Sequence, residues 1–364
     1  MKDIYINGRY LSQQATGVQR FATEFVRALD EQLASGVLIS HGNIFLIVPP
    51  GTFSVPKLNA IKLIKYGKLR GHAWEQLELP KISKDGLLFN PCGPAPIFHD
   101  NQVTVLHDAS IHVAPAGYSW RFRFWHKLLM WRSGRNAKHI LTVSHFSKRQ
   151  LVDICGIPEN KISVIYQSGD HFSRHTSDPS ILERYGLRNG IPYILCVGSQ
   201  QENKNMAAVV LAASILESEK LRFVVVGPTN SDVYRNSQPS HNNMTFTGYV
   251  TDGELHALYS SAACFVFPSL QEGFGIPPLE AMACGCPVIA SNSSSIPEAC
   301  GSAALYFDPK RPDLLSEAIM TILESPILRE QLIRQGYEHS KLNSWNHTAA
   351  QIATHLWTIA ANSN

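Results

Sequence analysis

No apolar run in this chain approaches the ~20 residues needed to cross a bilayer. Runs such as Phe223-Val224-Val225-Val226 stop at strand length. The opening MKDIYINGRY holds one lysine and no apolar h-region, so no secretory leader is expected. No Gly-x-Gly-x-x-Gly follows the first strand-like segment, which counts against a dinucleotide oxidoreductase. Internal repeats and low-complexity tracts are missing as well. Charged residues make up only 17% against 44% hydrophobic, the balance of a globular protein rather than a disordered or fibrous one. Cysteines number seven, so they cannot all pair within the chain, and most lie in apolar stretches. Cys284 and Cys286 are one residue apart with no second Cys/His pair at zinc spacing, which favours small buried hydrophobes over a metal site. These absences together place the expected location in the cytoplasm.

What is present is enough chain for more than one core: at 364 residues, two domains are expected. Net charge is +3 but unevenly spread. Residues 1–170 hold 20 Lys and Arg against 12 Asp and Glu, and the remainder 12 against 17. A basic half joined to an acidic half excludes a nucleic-acid stripe along the whole molecule. It permits the N-terminal half to approach an anionic partner, a membrane surface or a phosphate-bearing acceptor.

Short β-rich runs alternate with amphipathic stretches in both halves. Residues 4–6, 44–48, 86–89, 103–106 and 139–143 read as buried strands, with helices over 21–33 and 148–154. The second half repeats the pattern at 193–197, 222–226, 244–247, 264–267 and 287–290, with helices at 206–218, 253–261 and 279–284. That alternation predicts two α/β domains, each a doubly wound parallel sheet with helices on both faces. The polar stretch 167–189 reads as the join. The expected boundaries are 1–170, 171–345, and an amphipathic helix over 346–364 that packs back on the N-terminal domain.

Ligands of open parallel sheets sit beyond the carboxyl ends of the strands. After the strand ending at Phe267 comes Glu272-Gly273-Phe274-Gly275-Ile276-Pro277-Pro278-Leu279-Glu280. Its glycines let the backbone turn with N–H groups exposed, and the prolines suit a helix start. Such a loop can hold a diphosphate, with a carboxylate on each side for sugar or ribose hydroxyls. Spacing alone leaves open an ordinary helix start with Glu280 on a solvated face.

The run PSLQEGFGIPPLEAMACGCPVIAS resembles the Glu-x7-Glu signature of retaining glycosyltransferases of family 4, which have the GT-B fold: two Rossmann-like domains facing a central cleft. Similarity extends along nearly the whole chain. Asn7-Gly8-Arg9 with Thr16-Gly17-Val18-Gln19-Arg20 resembles the first strand and glycine loop, and Leu106-His107-Asp108 the segment of the catalytic-loop histidine. Leu141-Thr142-Val143-Ser144 with Phe146-Ser147-Lys148 resembles the helix start late in the N-domain. Val197-Gly198 with Lys204-Asn205 resembles the diphosphate segment, and Phe246-Thr247-Gly248-Tyr249-Val250 the nucleotide-base segment.

The resemblance implies roles. Glu272 would hold a donor-sugar hydroxyl and counter charge in an oxocarbenium-like transition state. N–H groups of Gly273, Phe274 and Gly275 would orient the sugar, and Ile276 would adjoin the diphosphate. Glu280 would take the ribose hydroxyls, a task needing two acceptor oxygens. Lys204 would neutralise the leaving diphosphate, Gly17 would admit it close to the N-domain backbone, and His107 would lie near the reacting carbon. Where the family usually has an arginine near the lysine, Ser199 and Asn203 stand here. Lys204 then acts alone or with a cation from elsewhere, Arg20 being the candidate. No Asp-x-Asp occurs, in agreement with a mechanism that needs no metal and no further cofactor.

Plainer readings compete at several positions. His107 alone would read as a core histidine; between an apolar strand and Asp108 the functional reading is preferred. Ser144 and Ser147 read as helix caps. Trp120, Phe124, Leu128 and Trp131 form one helical face beside Arg121, Arg123, Lys127, Arg132 and Arg135. That face is either buried in the N-domain or forms a peripheral membrane patch at Trp120–Arg135, on the inner side of the plasma membrane. The expected activity is sugar transfer, with GDP-mannose the leading donor, to a glycan or lipid-diphosphate-linked acceptor in surface polysaccharide assembly. A rhamnosyl- or glucosyltransferase, a sugar-nucleotide epimerase, and a catalytically silent GT-B subunit are the alternatives.

Overall fold

In a computed structural model the alternating runs fold into two units, Met1–Gln167 with Trp345–Asn364, and Ser168–Ser344. The structure describes residues 2–362 except 15, 53–54, 94, 110–119, 200, 217–219 and 229–242, and gives the backbone alone for 120–126 and 128.

The first unit is built on β1 (Ile4–Asn7), β2 (Ile44–Val48), β3 (Lys62–Lys65), β4 (Leu87–Asn90), β5 (Gln102–Val105), β6 (His139–Thr142) and β7 (Ile162–Val164). All pairs are parallel, in the order β3-β2-β1-β4-β5-β6-β7. Its helices include α1 (Gly17–Ala34), α2 (Gly71–Leu77), α3 (Trp120–Asn136) and α4 (His145–Asp153). A capping box between Thr16 and Gln19 starts α1. Phe21, Phe25 and Leu29, at four-residue spacing, bury one face of it. Ser144 caps α4 by accepting from the Ser147 N–H at 2.9 Å.

On α3 the face expected from spacing is described only at Trp131. Leu129, Met130, Ser133 and Gly134 are the buried positions among its described side chains, whereas Trp131 is 40% exposed with the guanidinium of Arg135 over its ring at 4.8 Å. The side chains of Trp120, Phe124 and Leu128 lie outside the described residues.

The second unit contains β8 (Tyr193–Val197), β9 (Arg222–Val226), β10 (Met244–Gly248), β11 (Cys264–Phe267), β12 (Val288–Ser291) and β13 (Ala304–Phe307). These too are all parallel, ordered β10-β9-β8-β11-β12-β13. Around them lie α5 (Met206–Ile215), α6 (Asp252–Ser261), α7 (Ile276–Ala283), α8 (Pro312–Glu324) and α9 (Pro326–Leu342). The central strands are buried on both faces, which is why they read as continuous apolar runs. Helix α7 begins earlier than its apolar pattern suggested, because prolines are tolerated in a first turn.

The last helix, α10 (Trp345–Ala361), belongs to the first unit and packs along α1. The Trp345 ring meets Phe21 edge-on at 5.9 Å, and Gln32 Nε2 donates to the Asn346 carbonyl at 3.0 Å. No helix among the described residues is long and apolar enough to cross a membrane. All seven cysteines are free and six of them are buried, and burial pushes the thiols up, Cys155 to about 11 and Cys300 to about 12.

Candidate functional site

The strand order of the second sheet reverses between β8 and β11, and there the loops after both strands leave the sheet at the same edge. The loop after β8 carries Lys204 and enters α5 through Asn205, held in the left-handed region at φ 50°. Asn205 Nδ2 donates to the carbonyls of Pro268 and Pro309 at 3.1 and 2.8 Å, which pins that conformation. Asn203, where an arginine was expected, instead stitches the two loops. Its carbonyl accepts from the Leu270 N–H at 2.8 Å and its Nδ2 donates to the Gln271 carbonyl at 3.3 Å. The result brings Lys204 Nζ to Glu272 Oε1 at 2.7 Å, with the two side chains 25% and 13% exposed. Partial burial strengthens this pair beyond what a fully solvated one would give.

From the other side the loop is clamped by serines at the end of β12 and just beyond it. Ser291 Oγ donates to the Ser269 carbonyl at 2.6 Å, and Ser293 Oγ to that of Leu270 at 2.7 Å. Ser295 Oγ donates to the carbonyls of Glu272 and Phe274 at 2.9 and 3.1 Å, and the Glu272 N–H donates to Ser294 Oγ at 3.0 Å. Sequence reasoning passed over this run; its signal was five small polar residues in succession after an apolar strand.

Gly275, at φ 115°, caps α7 in a conformation that suits glycine, and a Cβ there would come within 3.3 Å of the Phe267 ring. Pro277 and Pro278 have no N–H, so of the first three helical residues only Ile276 brings a donor. Gly273, Phe274 and Ile276 are buried and Gly275 half-buried. The turn thereby collects its donors at 273–276, where the positive end of the helix dipole lies.

Glu280, one turn further on, is 7% exposed and not on a solvated face. Its Oε1 pairs with His171 Nε2 at 3.1 Å and its Oε2 accepts from the Tyr259 hydroxyl at 3.2 Å. Burial, then the neighbouring Glu280 charge, pushes the Tyr259 pKa well up, so the phenol stays a donor. A carboxylate has about four acceptor positions, so acceptor capacity remains. Neither His171 nor Tyr259 was found from sequence.

Three glycines complete the edge. The Gly198 N–H donates to the Val226 carbonyl at 2.9 Å, and the Gly227 N–H to that of Gly248 at 3.0 Å. A Cβ on Gly227, at φ 139°, would stand 2.1 Å from the Gly198 carbonyl oxygen. Gly248 has φ 71°, Tyr249 after it is 67% exposed, and Val250 is half-buried.

Gly17, Arg20 and His107 are gathered separately, in the first unit. Gly17 opens α1 with nothing within 4 Å of where its Cβ would stand. Arg20 lies one turn on, and Phe21 beside it meets the His107 ring edge-on at 4.9 Å. His107 Nε2 lies 3.1 Å from the Pro91 carbonyl and Nδ1 3.3 Å from Gln167 Nε2. A carbonyl only accepts and the amide nitrogen only donates, so the neutral Nε2–H tautomer fits both. Burial lowers the His107 pKa, which keeps the ring in that neutral form. Among the described residues no group of three or more His, Cys, Asp or Glu is placed to hold a metal ion.

Residues 178–339 match the family model described as "Glycosyl transferases group 1", and residues 92–170 the one described as "Glycosyltransferase Family 4". The chain is 32% identical to the O-antigen chain mannosyltransferase B of Escherichia coli, over 92% of this chain and 94% of that protein. It is 27% identical to the O-antigen chain mannosyltransferase RfbU of Salmonella typhimurium, over 88% and 91%. Among solved structures it is similar to the sucrose-phosphate synthase of Thermosynechococcus elongatus, with a TM-score of 0.72 over 100% of both chains at 19% identity. The chain belongs to glycosyltransferase family 4, with the two parallel-sheet domains of the GT-B fold.

Proposed function

We propose that this glycosyltransferase moves mannose from GDP-mannose to a growing glycan on a lipid diphosphate, with retention of configuration and without a divalent cation. The observation that carries the donor chemistry is the Lys204–Glu272 pair at the strand-order reversal, beside the α7 N-terminus. Mannose, and a role in surface polysaccharide assembly, are supported by what the relatives in Escherichia coli and Salmonella typhimurium are named for. On donor binding the ammonium of Lys204 turns from Glu272 to the diphosphate, and Glu272 is released to a sugar hydroxyl and the developing charge at C1. Glu280, steadied by His171 and Tyr259, takes the ribose hydroxyls. The N–H groups at 273–276 and Lys204 do the work of a metal in stabilising the leaving group. The C1–O bond to phosphate breaks as the acceptor oxygen bonds to C1 on the same face, and the acceptor proton passes to the leaving diphosphate. The reading includes peripheral contact with the inner membrane face through α3, where Trp131 is exposed between Arg132 and Arg135.

The test is transfer of labelled mannose from GDP-mannose to lipid-linked acceptor in a membrane extract. Glu272→Ala abolishes transfer while the unfolding transition stays in place, and EDTA leaves the wild-type rate unchanged. Full activity of the variant, or strong inhibition by EDTA, overturns the assignment. Transfer from another nucleotide sugar in preference to GDP-mannose overturns the donor.

A further inference from the structure

The first sheet has its own reversal, between β1 and β4, and beside it the segments after β1, β2 and β3 line a half-open cavity of about 300 Å³. That is the lower end of the size range of small-ligand sites. Arg9, Ser12, Gln13, Pro49, Pro50 and Arg70 line it. The donor chemistry described above uses none of them.

Arg9 is 7% exposed although it carries a charge. Its Nε donates to Glu75 Oε1 at 2.9 Å, and that same oxygen accepts from Asn7 Nδ2 at 2.9 Å, so the guanidinium plane is fixed from behind. No described residue accepts from its two terminal nitrogens. Opposite, the Arg70 guanidinium lies over Gly51, its Nη2 3.2 Å from where a Cβ would stand. Gly51 at φ 81° leaves room for that close approach. Arg70 has neither a carboxylate nor a hydrogen-bond acceptor among the described residues. It ends a run, Lys57 to Arg70, that carries five cations and no acid. One buried guanidinium held rigid by a carboxylate and a second with no counter-ion, facing one cavity, make a fork geometry for phosphate oxygens. Pro49 and Pro50 supply an apolar wall, while Ser12 Oγ donates to the Arg9 carbonyl at 2.7 Å and holds that residue's backbone in place.

We propose that this cavity is a second anion site, which holds a phosphate or diphosphate group of the acceptor. Its assignment to the acceptor rests on the glycosyltransferase reading; the anion site itself does not. The basic run extends its field outward and raises the local concentration of an anionic acceptor.

Calorimetric titration of the full chain with inorganic pyrophosphate, at saturating GDP to fill the donor site, tests it. Pyrophosphate binds under those conditions, and Arg70→Ala weakens it about tenfold or more while GDP affinity stays at the wild-type value. Arg70 is exposed, so the variant folds, which its melting curve checks. Absence of binding beside GDP, or unchanged affinity in the variant, overturns the proposal. If GDP itself does not bind, the donor reading falls, and the comparison of wild type with R70A in pyrophosphate still decides this one. Phosphatidylcholine vesicles carrying a prenyl diphosphate identify the source. Capture that R70A loses assigns the group to the lipid, and binding of free pyrophosphate alone assigns it to a soluble phosphorylated glycan.

Discussion

Each carboxylate oxygen of Glu280 has its own partner, His171 on one side and the Tyr259 hydroxyl on the other. A carboxylate held at both oxygens keeps one orientation, as the proposed binding of two adjacent ribose hydroxyls requires. Tyr259→Phe removes one donor and keeps the ring against Phe172 and Phe265. Steady-state kinetics should show the KM for donor rising about tenfold with kcat little changed, since a hydrogen bond to a charged group contributes roughly 1.5–3 kcal/mol. An unchanged KM would remove Tyr259 from the site. Glu272 and Glu280 were legible from sequence because their spacing and the glycines and prolines between them are local. His171 and Tyr259 were not, since they stand 109 and 21 residues from Glu280 and only the fold brings them there. Asn203 shows the same limit: the missing arginine was visible, but not the stitching bonds that the asparagine makes instead.

The central strands were readable because burial on both faces demands unbroken apolar sequence, and the ones missed are β3, β7 and β13. All three are sheet edges. An edge strand has one neighbour and tolerates charge, as Lys62-Leu63-Ile64-Lys65 does, so its pattern falls below what periodicity can separate from a loop. The serine clamp was hidden for another reason: it is built from bonds between loops, and no strand or helix signal encodes them. At the sheet edge, close approach of β8 and β9 depends on Gly227. Gly227→Ala combines an unfavourable φ with a Cβ 2.1 Å from the Gly198 carbonyl. It should cost about 3 kcal/mol in urea-induced unfolding of the second unit. A loss under 1 kcal/mol, on the scale of an ordinary surface change, would mean that the two loops separate freely.

Over the whole chain, buried and half-buried histidines lower stability as the pH falls. Burial lowers the pKa of His99, His107 and His355 in the first unit and of His256 in the second, and brings His139, also facing His355 and Lys148, to about 4. A histidine with a depressed folded pKa takes up protons more readily when unfolded. Its contribution is therefore intact above about pH 6.5 and is lost as pH falls from there towards 4. Melting temperature should hold between pH 8 and 7 and decline from about 6.5, before the carboxylates Asp178, Glu254 and Asp313, whose pKa values are lowered, begin to protonate. A flat profile down to pH 4.5 would contradict this.

The chain leaves the first unit at Gln167 and returns to it at Trp345. During synthesis the aromatic contact between Phe21 and Trp345 cannot form until the second unit has already emerged from the ribosome. The second unit is contiguous and can close as it is made, whereas the first waits for its last helix with one flank of α1 uncovered. Completion of the first unit therefore waits until the second has been made.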